Sequence, residues 1–279
     1  FNSPEEDLNS SFEYGFILYN KFFRLFGSDS LFLVSFPIIL LLSLRYLHLA
    51  LNHRTDFSFY ILTLLTPIFL AYSVTGFRQS LSMSIGSVAI AFILKNKIRP
   101  SFVCLFIAFW FHSSSLIYLV PALILIINPK FELNKYLVIW CLSIPIGASE
   151  ILSSVGDIFL IDTDYSHYLS TSFGQSYLSG IRSDFILFSI IPLLLYFYIA
   201  NKKLVNVKCT ELLKAYLILN SIANMISFIP YSDRVYVFSW LLIPVYVSSI
   251  FKYLPNYLRS LYILGHIGLF YFYSLFWLV

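Results

Sequence analysis

The sequence predicts an all-α, polytopic integral membrane protein, and its composition supports this class. Of the 279 residues, 59% are hydrophobic and 11% are charged, with a mean hydropathy of +0.81. Soluble domains carry about a quarter charged residues. The apolar runs are long enough to cross a bilayer as helices, and they lack the alternation of an outer-membrane barrel. We therefore expect a single membrane domain over residues 1–279.

The apolar runs define the predicted elements. Large apolar residues recur at helical spacing near the start of the chain, which predicts an interfacial helix over 12–26. The predicted spans are 31–50, 59–74, 77–94, 136–152, 185–200, 212–229, 235–251 and 260–279. The chain starts at Phe1 with a polar, acidic stretch, so we expect a further N-terminal portion that carries another span.

The run 98–127 is long for one span and short for two. Lysine and arginine collect in short loops at 45–54, 95–99, 202–208 and 252–259, and the positive-inside rule places all of them in the cytoplasm. That arrangement requires 98–127 to make two short passes or a re-entrant hairpin, with its tip at residues 111–115. About ten transmembrane or re-entrant helices result. The alternative is one long tilted span, with a later segment re-entrant.

Arg78 and His112 flank two hydrophobic runs joined by a basic turn. A helix rises about 1.5 Å per residue, so about 16 residues cover roughly 24 Å. If both runs cross the bilayer, the two residues lie at the same depth on the outer side. Ionisable groups at membrane depth are by default candidates for function. The same topology places Glu13, an extracytoplasmic loop 153–184 and the turn at 233–234 on that side.

Each candidate also has a plain structural interpretation. Arg78 is either a phosphate ligand or an arginine that snorkels to the interface. His112 is either a proton acceptor or a histidine hydrogen-bonded between helices. Glu13 faces a sugar hydroxyl or is simply solvated. Arg234 binds phosphate or pairs with Asp233, and Arg182 belongs to a binding loop or to a solvated one.

Several classes of function lack support in the sequence. Walker, dinucleotide-binding, zinc-protease and nucleophile-elbow motifs are absent. The three cysteines have no paired spacing, and residues 162–164 (DTD) are only a weak metal signal. We therefore expect neither a metal nor another cofactor. The basic residues follow membrane topology, so no nucleic-acid partner is expected.

The motif residues resemble the EpsG family, which overlaps the Wzy-type O-antigen and capsular polysaccharide polymerases. Arg78-Gln79 is followed by a span, a basic turn and Ala108-Phe-Trp-Phe-His112-Ser-Ser114, as in the family. Ser82 and Ser115 stand where the family often has alanine. Glu13-Tyr-Gly-Phe is similar to a family Glu-Pro-Gly-Phe segment, and Arg234 is similar to a late family arginine. The family's upstream Gly-x-Asp segment has no counterpart here.

The resemblance implies a glycosyltransferase that polymerises undecaprenyl-pyrophosphate-linked oligosaccharides at the outer face of the bacterial cytoplasmic (inner) membrane. Its implied partners are that substrate, the lipid bilayer, a flippase and a chain-length regulator. Arg78, Arg234 and Arg182 would bind pyrophosphate, and His112 or Glu13 would act as base or orient the acceptor. Supporting roles fall to Gln79, Ser114 and Asp233.

Two other functions stay open at this point. A membrane acyltransferase would use His112 as its base. A transporter of lipid-linked glycan is less favoured, because transporter folds commonly contain two matching halves with broken helices, and the sequence contains no such repeat.

Overall fold

The computed structural model describes residues 14–27, 29–52, 56–128, 130–149, 151, 180–204, 206–229 and 232–277. Within these residues every regular element is helical. Their packing divides the chain into two compact units. The first unit comprises Phe1–Ile126 with Pro244–Val279, and the second unit comprises Ile127–Ile243. Most of the loop 153–184 and all of the DTD segment lie outside the described residues.

The helices follow the apolar runs. In the first half they are α1 (Tyr14–Arg24), α2 (Asp29–Leu51), α3 (Phe57–Leu64), α4 (Pro67–Val74), α5 (Phe77–Leu94), α6 (Ile98–Phe111), a 3-10 helix (Ser113–Tyr118) and α7 (Leu119–Ile127). In the second half they are α8 (Leu133–Ala148), α9 (Ser183–Asn201), α10 (Val207–Met225), α11 (Asp233–Trp240), α12 (Leu242–Ile250), a short 3-10 helix (Phe251–Tyr253) and α13 (Asn256–Trp277).

Four of the described helices are long and apolar enough to cross a membrane: Asp29–Leu51, Phe77–Leu94, Ser183–Asn201 and Asp233–Tyr253. Three shorter apolar segments, Ile98–Phe111, Ser113–Ile127 and Leu133–Ala148, accompany them. The protein is therefore a multi-pass, all-α membrane protein, and the expected number of about ten crossings is not confirmed.

The span predicted at 59–74 is wrong as a single helix. It is broken into α3 and α4 at Leu65 and Thr66. Pro67 starts α4, and the residue before a proline is pushed out of helical geometry. Thr66 accordingly has φ −73° and ψ 120°. Proline also has no backbone N–H, so a continuous helix would lack one hydrogen bond at this position in any case.

The turn predicted at 233–234 also differs from the structure. Asp233 and Arg234 lie in the first turn of α11, so the helix begins two residues earlier than expected. By contrast, the span predicted at 77–94 coincides with α5. Its serines and Gly86 are fully buried, or nearly so, as expected for small residues that allow close helix packing: Ser80, Ser82, Ser84 and Ser87.

The run 98–127 is interrupted at His112, inside the predicted tip. His112 has an extended backbone, with φ −164° and ψ 123°, between the end of α6 and the 3-10 helix. Its N–H donates to the carbonyl of Ala108, and its own carbonyl accepts from the N–H of Ser115. The serines after His112 suit this break, because their side chains compete with helical backbone bonds.

Candidate functional site

The ends of four helices of the first unit meet in one aromatic cluster. Its buried members come from α1, α2 and α5, and partly buried rings pack around them: Phe16, Phe32, Phe36 and Leu81 in the centre, with Tyr19, Phe23, Phe77 and Phe111 against it. Phe77 stacks on Phe36 with centroids 4.4 Å apart, and Phe111 meets Tyr19 edge-on at 6.1 Å. Phe77 and Phe111 directly precede Arg78 and His112. The cluster therefore holds both motifs at the same end of this unit.

The register of α5 against α6 leads to the same placement. Midway along the pair, the hydroxyl of Ser101 on α6 donates to the carbonyl of Ala89 on α5 over 3.0 Å. Ser101 to His112 is the same number of residues as Ala89 to Arg78. Both segments are helical up to Phe111 and run in opposite directions, so each covers about 16 Å. Arg78 and His112 thus lie at one level.

Arg78 lies in the first turn of α5, where the local charge favours an anion. The first N–H groups of a helix have no partner within it and carry a partial positive charge. The first turn of α5 contains no acidic residue to offset this. Gly76 precedes the helix with φ +63°, a left-handed conformation that glycine adopts without steric cost. Arg78 is partly exposed and Gln79 is buried.

Helix α1 packs closely beside His112. A Cβ added to Gly15 would lie 2.7 Å from the carbonyl oxygen of Trp110, so only glycine permits this approach. Tyr19 bonds the hydroxyl of Ser35, which itself donates to a backbone carbonyl, so the phenol is the donor. Burial raises the pKa of Tyr19, which keeps that donor protonated. Glu13 lies outside the described residues.

The family comparison agrees with these motifs. A sequence profile of the EpsG family matches residues 1–279, the whole chain. The chain belongs to the EpsG family. This is a Wzy-type polymerase-like family, so the protein is a membrane polysaccharide polymerase-like protein. Neither the search of curated proteins nor that of solved structures found a match.

In this EpsG-family protein the other two predicted arginines lie in the second unit, also at helix N-termini. Arg182 is the N-cap residue of α9, and Arg234 lies in the first turn of α11. Each has an acidic neighbour in that first turn. Arg182 donates two hydrogen bonds to Asp184, at 3.1 and 2.6 Å, and its guanidinium lies 4.1 Å from the ring centroid of Phe185.

The Arg182–Asp184 pair affects the predicted role of Arg182. The planar fork that would bind a phosphate is already used by a carboxylate. Arg234 is exposed and Asp233 is partly exposed. Of the three N-terminal arginines, only Arg78 has no carboxylate in its own first turn.

Sequence reasoning missed a partly buried ion pair near the start of α10. The ammonium of Lys214, on a residue that is 6% exposed, lies 2.7 Å from the carboxylate of Glu211. The ring of Tyr136 lies 5.7 Å from the same ammonium. The i, i+3 spacing of opposite charges inside an apolar stretch was the available signal. Since burying an unpaired charge is costly, the carboxylate of Glu211 allows the ammonium of Lys214 to be buried.

Proposed function

We propose that this protein is the polymerase that joins undecaprenyl-pyrophosphate-linked oligosaccharide units into O-antigen, capsule or exopolysaccharide. The reaction would take place at the outer face of the bacterial cytoplasmic membrane. The observation that carries the proposal is the common level of Arg78 and His112 at one end of the α5–α6 pair. Membership of a polymerase-like family supports it.

The chemistry assigns a distinct task to each of the two residues. The hydroxyl of the acceptor sugar attacks the anomeric carbon of the donor chain, and the bond from that carbon to the pyrophosphate breaks. Negative charge develops on the departing undecaprenyl pyrophosphate, where the guanidinium of Arg78 and the N-terminus of α5 stabilise it. The imidazole of His112 accepts the proton that the acceptor hydroxyl loses.

The other predicted site residues are proposed to assist Arg78 and His112. Arg234 and Arg182 would be further phosphate ligands, with Asp233 orienting Arg234. Because Arg182 is paired with Asp184, its contribution would require that pair to open. Gln79 would position Arg78 from its buried site, and Ser114 and Glu13 would contact the sugar.

The direct test compares two arginines at opposite ends of the α5–α6 pair. Arg78→Ala should lower polymerisation of lipid-linked units in membranes by at least about a hundredfold, because a transition-state contact is lost. Arg78→Lys should restore only part of the rate, since lysine cannot bind phosphate in the two-point fashion of arginine. The control is Arg99→Ala, an exposed arginine near the start of α6. It should leave the rate unchanged.

His112→Ala should also abolish long chains and leave unpolymerised lipid-linked units to accumulate. Gel ladders of surface polysaccharide, read beside the membrane level of the protein, measure both effects. An unchanged ladder in Arg78→Ala with normal protein level would contradict the proposal. Loss of O-acyl groups with chain length intact would indicate the acyltransferase instead.

A further inference from the structure

One side of α9, in the second unit, is apolar and exposed. Among the four candidate spans of the described helices, α9 has the smallest buried share. Its residues Leu187, Leu194 and Phe197 are 67%, 59% and 47% exposed. Their spacing places them within about a quarter of the helix circumference. In a membrane protein such a side contacts the acyl chains of lipids, which are as apolar as leucine.

The length of α9 places the lysines that follow it at the level of the lipid headgroups. Its 19 residues rise about 28 Å, close to the hydrocarbon thickness of about 30 Å. Lys202 and Lys203 come directly after its last residue. The ammonium of Lys202 lies 5.1 Å from the ring centroid of Tyr198, which is on the same side of α9 as Leu187. This contact holds a cation at the end of the lipid-facing side.

The turn between α9 and α10 carries positive charge alone. Lys202, Lys203 and Lys208 are exposed, and residues 201–210 contain no acidic residue. Lys208 lies in the first turn of α10, where the helix N-terminus adds a partial positive charge. The first acidic residue of α10 is Glu211, whose carboxylate is paired with Lys214. The turn is therefore suited to an anion.

The backbone of Lys203 is an independent sign that its charge is used. Lys203 has φ +57°, and its N–H donates to the carbonyl of Ala200 while the N–H of Leu204 donates to that of Ile199. These are the two bonds of a Schellman motif, whose left-handed position is usually glycine and sometimes asparagine. At the same position after α5, Asn96 also has φ +57°. A lysine there lowers stability, so we infer that it is kept for its charge.

We propose that the turn 202–208 and the lipid-facing side of α9 together bind an anionic phospholipid of the surrounding membrane. The acyl chains lie along the exposed apolar residues of α9, and the lysines contact the headgroup phosphate. The positive-inside rule predicts that this turn is cytoplasmic, so the lipid belongs to the inner leaflet. The inference does not depend on the polymerase proposal, because none of these residues belongs to the Arg78–His112 site.

The test measures binding of phosphatidylglycerol to the purified protein in detergent by native mass spectrometry, with phosphatidylcholine as the neutral reference. Lys203→Gly removes one charge and also relieves the left-handed backbone, so the variant should fold and melt no lower than the unmodified protein. Its affinity for phosphatidylglycerol should fall about fivefold, the contribution of one lysine near an anionic surface. The triple variant Lys202→Gln/Lys203→Gln/Lys208→Gln should lose about a hundredfold. Affinity for phosphatidylcholine should stay unchanged in both.

Two control variants separate backbone and charge. Asn96→Gly changes the same Schellman position without removing a charge. Lys252→Gln removes an exposed lysine of the first unit, whose ammonium lies 5.0 Å from the ring centroid of Tyr253 much as that of Lys202 lies on Tyr198. Both controls should bind phosphatidylglycerol within about twofold of the unmodified protein.

Three results would overturn the inference. The first is full phosphatidylglycerol affinity in Lys203→Gly or, should that variant be made at a low level, in Lys203→Gln. The second is an equal loss in Lys252→Gln, which would show a diffuse attraction to any lysine. The third is equal affinity of the unmodified protein for the two lipids, which would favour an acidic protein segment as the ligand of the turn.

Discussion

The two units hold their helices together by different means. In the first unit, rings meet in the cluster around Phe36 while the small residues of α5 allow neighbouring helices to approach. In the second unit, buried polar side chains bond from helix to helix and link α8, α9, α10 and α11. The difference shows that the first unit is packed mainly through rings and small side chains, whereas the second is also held by a network of side-chain hydrogen bonds between its helices.

Asn220 illustrates the second pattern. It is fully buried in α10, and its amide nitrogen donates to Ser189 and Ser239 at 3.0 and 2.9 Å. Its amide oxygen accepts from the indole of Trp140 at 2.7 Å. One turn on, Asn224 bonds the side chains of Ser143 and Tyr236. Satisfied networks of this kind fix one packing arrangement, because any shift leaves a buried group without a partner.

The largest effect is expected at the closest helix contact of each unit. A Cβ on Gly147 would lie 1.9 Å from the backbone carbonyl oxygen of Asn224, whereas the atoms nearest to a Cβ on Gly86 belong to the side chain of Tyr118. Gly147→Ala should lower stability by about 3 kcal/mol, and no trimmed neighbour can relieve it. Gly86→Ala should lower stability when made alone, and Tyr118→Leu should restore part of that loss. Thermal unfolding in detergent measures the stability of each variant. The contrast between the two units would be wrong if trimming a neighbouring side chain rescued Gly147→Ala as well as it rescues Gly86→Ala.

The next effect concerns the polar network itself. Asn220→Leu removes three hydrogen bonds at once and should lower the free energy of unfolding by about 2 kcal/mol. The control is Asn201→Leu, at the exposed end of α9, which should change it little. Unfolding of purified protein in detergent, followed by tryptophan fluorescence, is the measurement, because Trp140 reports on the site. If the two variants unfold alike, the network does not hold the second unit.

A smaller effect is expected from the aromatic cluster. Phe36→Leu leaves a cavity beside Phe77 and should cost about 1 kcal/mol, since lipid is as apolar as the core and only packing is lost. Because Phe77 adjoins Arg78, the polymerisation rate should fall more than the stability does. The exposed Phe22 gives the control, Phe22→Leu. Equal losses of rate in both variants would show that the cluster does not position Arg78.

The smallest effect on stability is expected at the surface pair of the second unit. Arg182 and Asp184 have side chains 39% and 56% exposed, and exposed ion pairs contribute about 0–1 kcal/mol. Asp184→Asn should therefore change the melting temperature only slightly. It would also free the guanidinium of Arg182 for a phosphate. Inorganic pyrophosphate, added to the polymerisation assay as an inhibitor, should then bind more tightly. A large drop in melting temperature would identify the pair as a structural clamp.

The site was partly predictable because its signals are local. Arg78 and His112 flank two apolar runs of similar length around a basic turn, and helical rise alone predicts that they share one level. The break before Pro67 follows from a local rule, because a proline pushes the residue before it out of helical geometry. The prediction missed this break because it followed the continuous hydropathy of residues 59–74. The pair Glu211–Lys214 was missed because the charges cancel within one apolar helix. Asn220 was missed because its Trp140 partner lies 80 residues away.

The sequence by itself determined the membrane class, the main apolar helices and the charged residues at their ends. These follow from hydropathy, proline geometry and helical rise, which act over neighbouring residues. The tertiary structure alone decided which polar groups are paired inside the helices, that the aromatic cluster joins four helix ends, and that Ser115 is buried whereas Ser114 is exposed. Those outcomes depend on contacts between segments distant in the chain, and no local property of a residue specifies its partner.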